Sequence, residues 1–214
     1  MFSSAMQGRA LERQAMVYFL SHKNEETYSY TYRALDGDVS KIQAVDLTRD
    51  EGVRIRPGYS YYGRPFESEY IPTKIELDGP KRPIPDVYSA FGLLVSEKFK
   101  GIVEKFEPNA HQFFPIELVW KDGGHAADRF WFVPCARLDT VDREKTTFEF
   151  RNVWFLDGSK DKDLVFNRSQ IGDHHVWIDK FIVMPSPAIS EGLKAELDAA
   201  GVTGAHYQHF PETN

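Results

Sequence analysis

The chain is poor in cysteine: Cys135 is the only one among 214 residues. No intrachain disulfide can form, which suits a reducing compartment, and stability must come from a packed core. Cys135 itself lies in a strand-like run, 130–138, and reads as an inert wall residue rather than a nucleophile. No apolar stretch approaches the roughly 20 residues of a membrane span. The segment 16–20 is far too short for the core of a secretory signal, so a cytoplasmic location is expected. Residues 1–15 are polar and without periodicity and could be a frayed leader, a remnant of an expression tag or a start-site ambiguity, with Met16 an alternative start. Positive charge is also scarce, with 26 Lys and Arg against 32 Asp and Glu and a net charge of -6. A general nucleic-acid binder would be basic or carry a basic stripe; an acidic chain instead admits a basic protein partner. The sequence lacks a G-x-S-x-G elbow, a Walker A loop, a dinucleotide fingerprint, an H-E-x-x-H helix and paired Cys/His ligand spacing. Aromatic residues, by contrast, are plentiful at 14%, and hydrophobic residues make up 42%. That is enough to build an ordered core.

Composition shifts along the chain. Eight of the ten tyrosines precede residue 71, and all four tryptophans follow residue 119. Pro80, Pro83 and Pro85 interrupt regular structure between these regions. The expectation is a β-rich portion over 16–78 and a larger α+β portion over 86–214, as two domains or one packed body. In the first, Met16–Leu20 reads as a strand, Tyr28, Tyr30 and Tyr32 alternate as a half-exposed strand would, and Asp36-Gly37 marks a turn. In the second, Ser96 is an N-cap, and Phe99, Ile102, Val103 and Phe106 share one helical face until Pro108 stops the helix. Alternation predicts a strand over 114–120, with a hairpin at 121–125 and a return strand over 130–138; 147–156 reads as another strand, and 164–166 and 176–183 as further apolar runs. A last helix is expected over 191–200, closed by Gly201. This pattern points to an α+β fold, mostly antiparallel sheet with a few packed helices.

Few residues offer chemistry. Asp173, His174, His175 and Asp179 could in principle ligate a metal for a hydrolase, but neighbouring histidines on a strand point to opposite faces. A solvated turn before a strand is the expected reading. His111 and His206 occupy matching places in two related stretches and read as groups that bridge helix–strand turns through a ring N–H. No catalytic, metal-binding or cofactor-binding residues are assigned. A different signal comes from Tyr59, Tyr61, Tyr62, Arg64, Phe66 and Tyr70. Tyrosine mixed with Ser, Gly and Arg is the composition of adaptable protein-binding surfaces. The loop D-G-S-K-D-K-D, with Asp157, Asp161 and Asp163, could meet a basic partner.

The related stretches are 95–117 and 189–212. Each runs Ser-Glu-x-apolar-Lys into a helix, then Ala-His and an aromatic, then Phe-Pro. The runs LVSEKFK (94–100) and HQFFPIE (111–117), with Ser190-Glu191, the Gly-x-Thr-Gly element 201–204 and Tyr207, resemble a bacterial family of immunity proteins from polymorphic toxin systems, formerly a domain of unknown function. The resemblance covers about 86–210. It implies a non-enzymatic antitoxin that binds one cognate toxin in the producer's cytoplasm, without nucleic acid, membrane or cofactor. The acidic charge would favour a basic toxin. The competing expectations are a structural or regulatory interaction module and the metal-dependent hydrolase built on His174 and His175.

Overall fold

The computed structural model describes residues 15–23, 30–45, 63–183 and 185–213. In chain order the strands are Met16–His22 (β1), Thr31–Ala34 (β2), Lys74–Asp78 (β3), Val87–Ser89 (β4), Leu93–Val95 (β5), Gln112–Trp120 (β6), His125–Val133 (β7), Arg137–Leu138 (β8), Phe166–Asn167 (β9), Val176–Asp179 (β10), Ala188–Ser190 (β11) and Ala205–Thr213 (β12). The helices are Glu97–Phe106 (α1), Arg168–Ile171 (α2) and Glu191–Ala199 (α3).

The strands form two six-stranded sheets, ordered β2-β3-β6-β7-β5-β4 and β8-β10-β11-β1-β12-β9. Pairing is antiparallel except for β3–β6, β8–β10 and β9–β12, which are parallel. The fold is therefore α+β, mostly strand, with two mixed sheets. Both sheets draw strands from either side of the proline-rich seam. β2 and β3 join β6 in the first sheet, while β1 runs between β11 and β12 in the second, with Met16 opposite Pro211.

Local signals account for most elements. Ser96 caps α1 by accepting the Phe99 N–H, and Phe99, Ile102 and Val103 are buried along its inner face. Ser190 caps α3 in the same way through the Leu193 N–H. At the end of α3, Gly201 (φ 63) lets the Val202 N–H reach the Leu197 carbonyl and its own N–H reach Asp198. This is the double bond of a Schellman ending. Pro115 is tolerated in β6 because β3 pairs only with residues 117–120, leaving that flank of Pro115 without a ladder neighbour.

The two related sequence stretches become two related units. In one, β5 leads through α1 to β6, and both strands are antiparallel to β7, which lies between them. In the other, β11 leads through α3 to β12, and both are antiparallel to the interposed β1. Each unit is thus a split β-α-β crossover, which the sequence reading had not anticipated. α1 and α3 pack together in a shared apolar layer with Leu20, Val95, Phe132 and Ile189 from the two sheets. A second cluster, including Ile75, Leu118 and Trp131, covers the other face of the first sheet. A third, with Val17, Phe19, Trp154 and Trp177, covers the other face of the second.

One expected strand is absent. Residues 147–156 contain only isolated bridges, Phe150 with Trp154 and Trp154 with Ile182. The alternating aromatics there pack into the third cluster without a neighbouring strand to extend a ladder.

Candidate functional site

Two polar clasps hold the units together, and both use residues of the shared motifs. In the first, Asp86 Oδ2 accepts from the Thr203 N–H and hydroxyl, each at 2.9 Å, and pairs with Lys98 Nζ at 2.9 Å. Lys98 also donates to the Gly201 carbonyl. Burial would raise the Asp86 carboxyl, but the bonds from Thr203, Lys98 and Ser96 outweigh it and hold the group down to about 2. Gly204 (φ 77) lies directly against the Val87 carbonyl and the Pro85 ring, where a Cβ would meet Pro85 Cβ at 2.6 Å. The helix motif and the Gly-x-Thr-Gly element therefore touch, and their glycine is a close-approach residue.

The second clasp centres on Glu107, the C-cap of α1. Its carboxylate meets His111 Nε2 at 2.8 Å and accepts from the backbone N–H groups of His175 at 3.0 Å and Val176 at 2.9 Å. His174 Nδ1 stands at 3.3 Å. Burial pushes the carboxyl up, but the bonds from His111, His175 and Val176 bring it below its ordinary value. His111 Nδ1 in turn accepts the Cys135 N–H, which leaves the ring proton on Nε2 facing Glu107. His111 thus bridges its helix–strand turn as expected. His206 is distant from this centre, exposed, with Nδ1 at 3.3 Å from Ser21 Oγ.

The residues considered for metal chemistry are not brought together. His175 Nδ1 lies 2.8 Å from Ser190 Oγ, and its ring packs on Phe106. Asp179 is buried and accepts from the Thr140 N–H and hydroxyl and the Phe181 N–H. Burial raises its carboxyl despite these bonds. Asp173 is exposed. Among the described residues no three His, Cys, Asp or Glu side chains are grouped to hold a metal. Burial pushes the Cys135 thiol up to about 11, so it is protonated near neutrality and a poor nucleophile.

Of the tyrosine-rich segment, Tyr59, Tyr61 and Tyr62 lie outside the described residues. Phe66 does not face solvent. It is 3% exposed in the cluster above the first sheet, and its N–H and carbonyl are both bonded by the Gln112 side chain. As a large apolar ring on the bridge to Ala44 it packs into the core. Arg64 and Tyr70 are half-buried. A hydrogen bond to Glu69 raises the Tyr70 phenol, and Lys41 sits over its ring at 5.6 Å. The acidic loop is exposed at Asp157, Asp161 and Asp163. Asp157 is held well below the ordinary carboxylate range by Lys162, at 2.7 Å, and Ser159. Three clefts of about 640, 480 and 230 Å³ open around this loop.

Compared with known families, the chain matches the immunity protein family Imm11 over residues 13–211. The chain belongs to the Imm11 family. No curated protein matches it. The Imm11 match begins far upstream of Asp86, where the motif resemblance starts, and so takes in β1 and the strands before the seam. Within this Imm11 chain the motif residues Ser96, Lys98, Ser190, Thr203 and Gly204 are scaffold: caps, a clasp and a close approach. Membership in an immunity family implies a toxin as partner. No helix among the described residues is long and apolar enough to cross a membrane. Sequence reasoning missed Glu107 and Asp86. The only local signal for Glu107 was its i, i+4 spacing to His111 across the Pro108-Asn109 turn.

Proposed function

We propose that this protein is an immunity protein that binds a cognate toxin domain and neutralises it in the cytoplasm of the cell that makes both. The observation that carries this reading is the family match across both sheets. The clasps support it. Of the groups that sequence offered for catalysis, His175 is bonded to the α3 cap Ser190, and Asp179 to Thr140 and the Phe181 N–H, which is scaffold work. The net charge of -6 favours a basic toxin, drawn in by electrostatic steering.

The test is affinity capture of the tagged protein from lysate of the source cells, with mass spectrometry of what co-elutes. The captured protein is then expressed alone and together with this chain. A stoichiometric partner that kills cells alone and spares them on co-expression is the expected result. If no such partner is found, and the purified chain instead binds a divalent metal stoichiometrically by calorimetry, the immunity reading fails and the hydrolase reading returns.

A further inference from the structure

Residues 139–165 connect β8 to β9 without a named strand or helix. Irregular connections beyond about 12–15 residues are uncommon in compact domains, and when ordered they are usually functional. This one is ordered from beneath. Trp154 is 1% exposed, its N–H donates to the Phe181 carbonyl at 2.8 Å, and its own carbonyl accepts from the Val183 N–H at 3.0 Å. Phe148 and Phe150 pack into the same cluster. Pinning Trp154 inward leaves Phe155 outward at 57% exposure, the highest of the large apolar residues described. Each of the three clefts is walled by at least one of Phe155, Leu156 and Asp157. The result is a firmly held aromatic ridge between open hollows.

The charges around the ridge have a definite arrangement. Glu149 and Asp157 are engaged by Arg151 and Lys162. Asp161 and Asp163 are exposed and, among the described residues, join no ion pair. Within 149–163 Lys160 is the remaining cation, so this stretch carries four acidic against three basic side chains. A protruding ring flanked by hollows does not make an enclosed ligand cavity. It has the anatomy of a protein interface, with an aromatic anchor that a partner can desolvate and charges at the rim.

We infer that the ridge Phe155–Asp157, with Asp161 and Asp163 at its rim, is the surface on which the toxin docks. This rests on the immunity reading above. The partner it fits is a folded protein with an apolar pocket for the Phe155 ring and basic residues opposite Asp161 and Asp163. Phe155 supplies affinity through burial, and the two aspartates supply association rate and its salt dependence.

The test uses the full chain and the toxic partner recovered by it. Phe155→Asp, the double variant Asp161→Lys/Asp163→Lys, and Leu35→Asp are purified. Leu35 is 44% exposed beside the other sheet and serves as the control. Phe155→Asp should weaken binding about thirtyfold or more, the scale of an interface hot spot. The double variant should slow association and flatten its dependence on salt, and Leu35→Asp should bind as the wild type does. Amide exchange on the wild-type chain gives a check that needs no variant: partner should slow exchange across 154–163. Wild-type affinity in Phe155→Asp, or protection confined to other segments, overturns this surface and leaves the immunity reading standing. Failure to recover any toxic partner overturns both.

Discussion

Glu107→Ala tests the central energetic argument. Glu107 is 9% exposed, and its carboxylate is shared by four partners from two places in the chain, His111 and the run 174–176. Truncation strands the His111 Nε2–H and the Val176 N–H in buried surroundings and the His175 N–H in a half-buried one. Each buried donor left without a partner costs about 1–3 kcal/mol. Water entering the vacated space would recover part of this, so the net loss over the three donors should be about 3–5 kcal/mol. That is a large share of the roughly 5–15 kcal/mol that holds a typical domain. Glu107→Gln keeps the shape and one acceptor oxygen but turns an NH2 group on a donor, and should cost about 1–3 kcal/mol. Because the folded carboxyl lies below its ordinary value of 4.5, its contribution is present above that pH. It is lost as pH falls through the lower folded value. Urea unfolding at neutral pH and through the acid range, with the slope of the transition unchanged, reads all of these quantities. A Glu107→Ala variant within 1 kcal/mol of wild type would refute the clasp as a stabilising centre.

Three further outcomes follow from the packing. Gly204→Ala must hold a positive φ while its methyl presses on the Val87 carbonyl and the Pro85 ring. It should lose about 2–5 kcal/mol by chemical denaturation. Asp86→Asn should remove part of the acid sensitivity. The wild-type carboxyl is held down to about 2, so its contribution is full above about pH 4 and fades toward pH 2. Its partly wet setting limits this to about 1–2 kcal/mol, read as a flatter melting-temperature profile across that window. Phe99→Ala opens a cavity beside Phe132, whose ring centroid is 5.6 Å away. It should cost about 3–5 kcal/mol by the same denaturation measurement.

What could be read from sequence divides by distance along the chain. Ser96, the buried face Phe99–Ile102–Val103, and Gly201 after α3 were legible because caps, helical faces and left-handed endings are decided within a few residues. The role of Glu107 was not, because two of its donors are backbone N–H groups nearly seventy positions away. The run 147–156 read as a strand, but its rings needed only a core to enter. Phe66 shared a composition with its exposed neighbours and still went inward beside Ala44. The acidic loop was visible as charge. Its aromatic ridge was not, since Phe155 is exposed only because Trp154 is fixed through both its N–H and its carbonyl.

The position of β1 sets a schedule for synthesis. Its two sheet partners are the strands at 188–190 and 205–213, so they leave the ribosome long after it. At roughly 5–20 residues per second, Val17, Phe19 and Leu20 must wait about 10–30 s before anything exists for them to pair with. Over that interval an apolar strand is in the open, exposed to chaperones or to another nascent chain. A stalled or truncated product that has lost 205–213 cannot complete this sheet, and whatever the protein does through it begins only when those residues have been made.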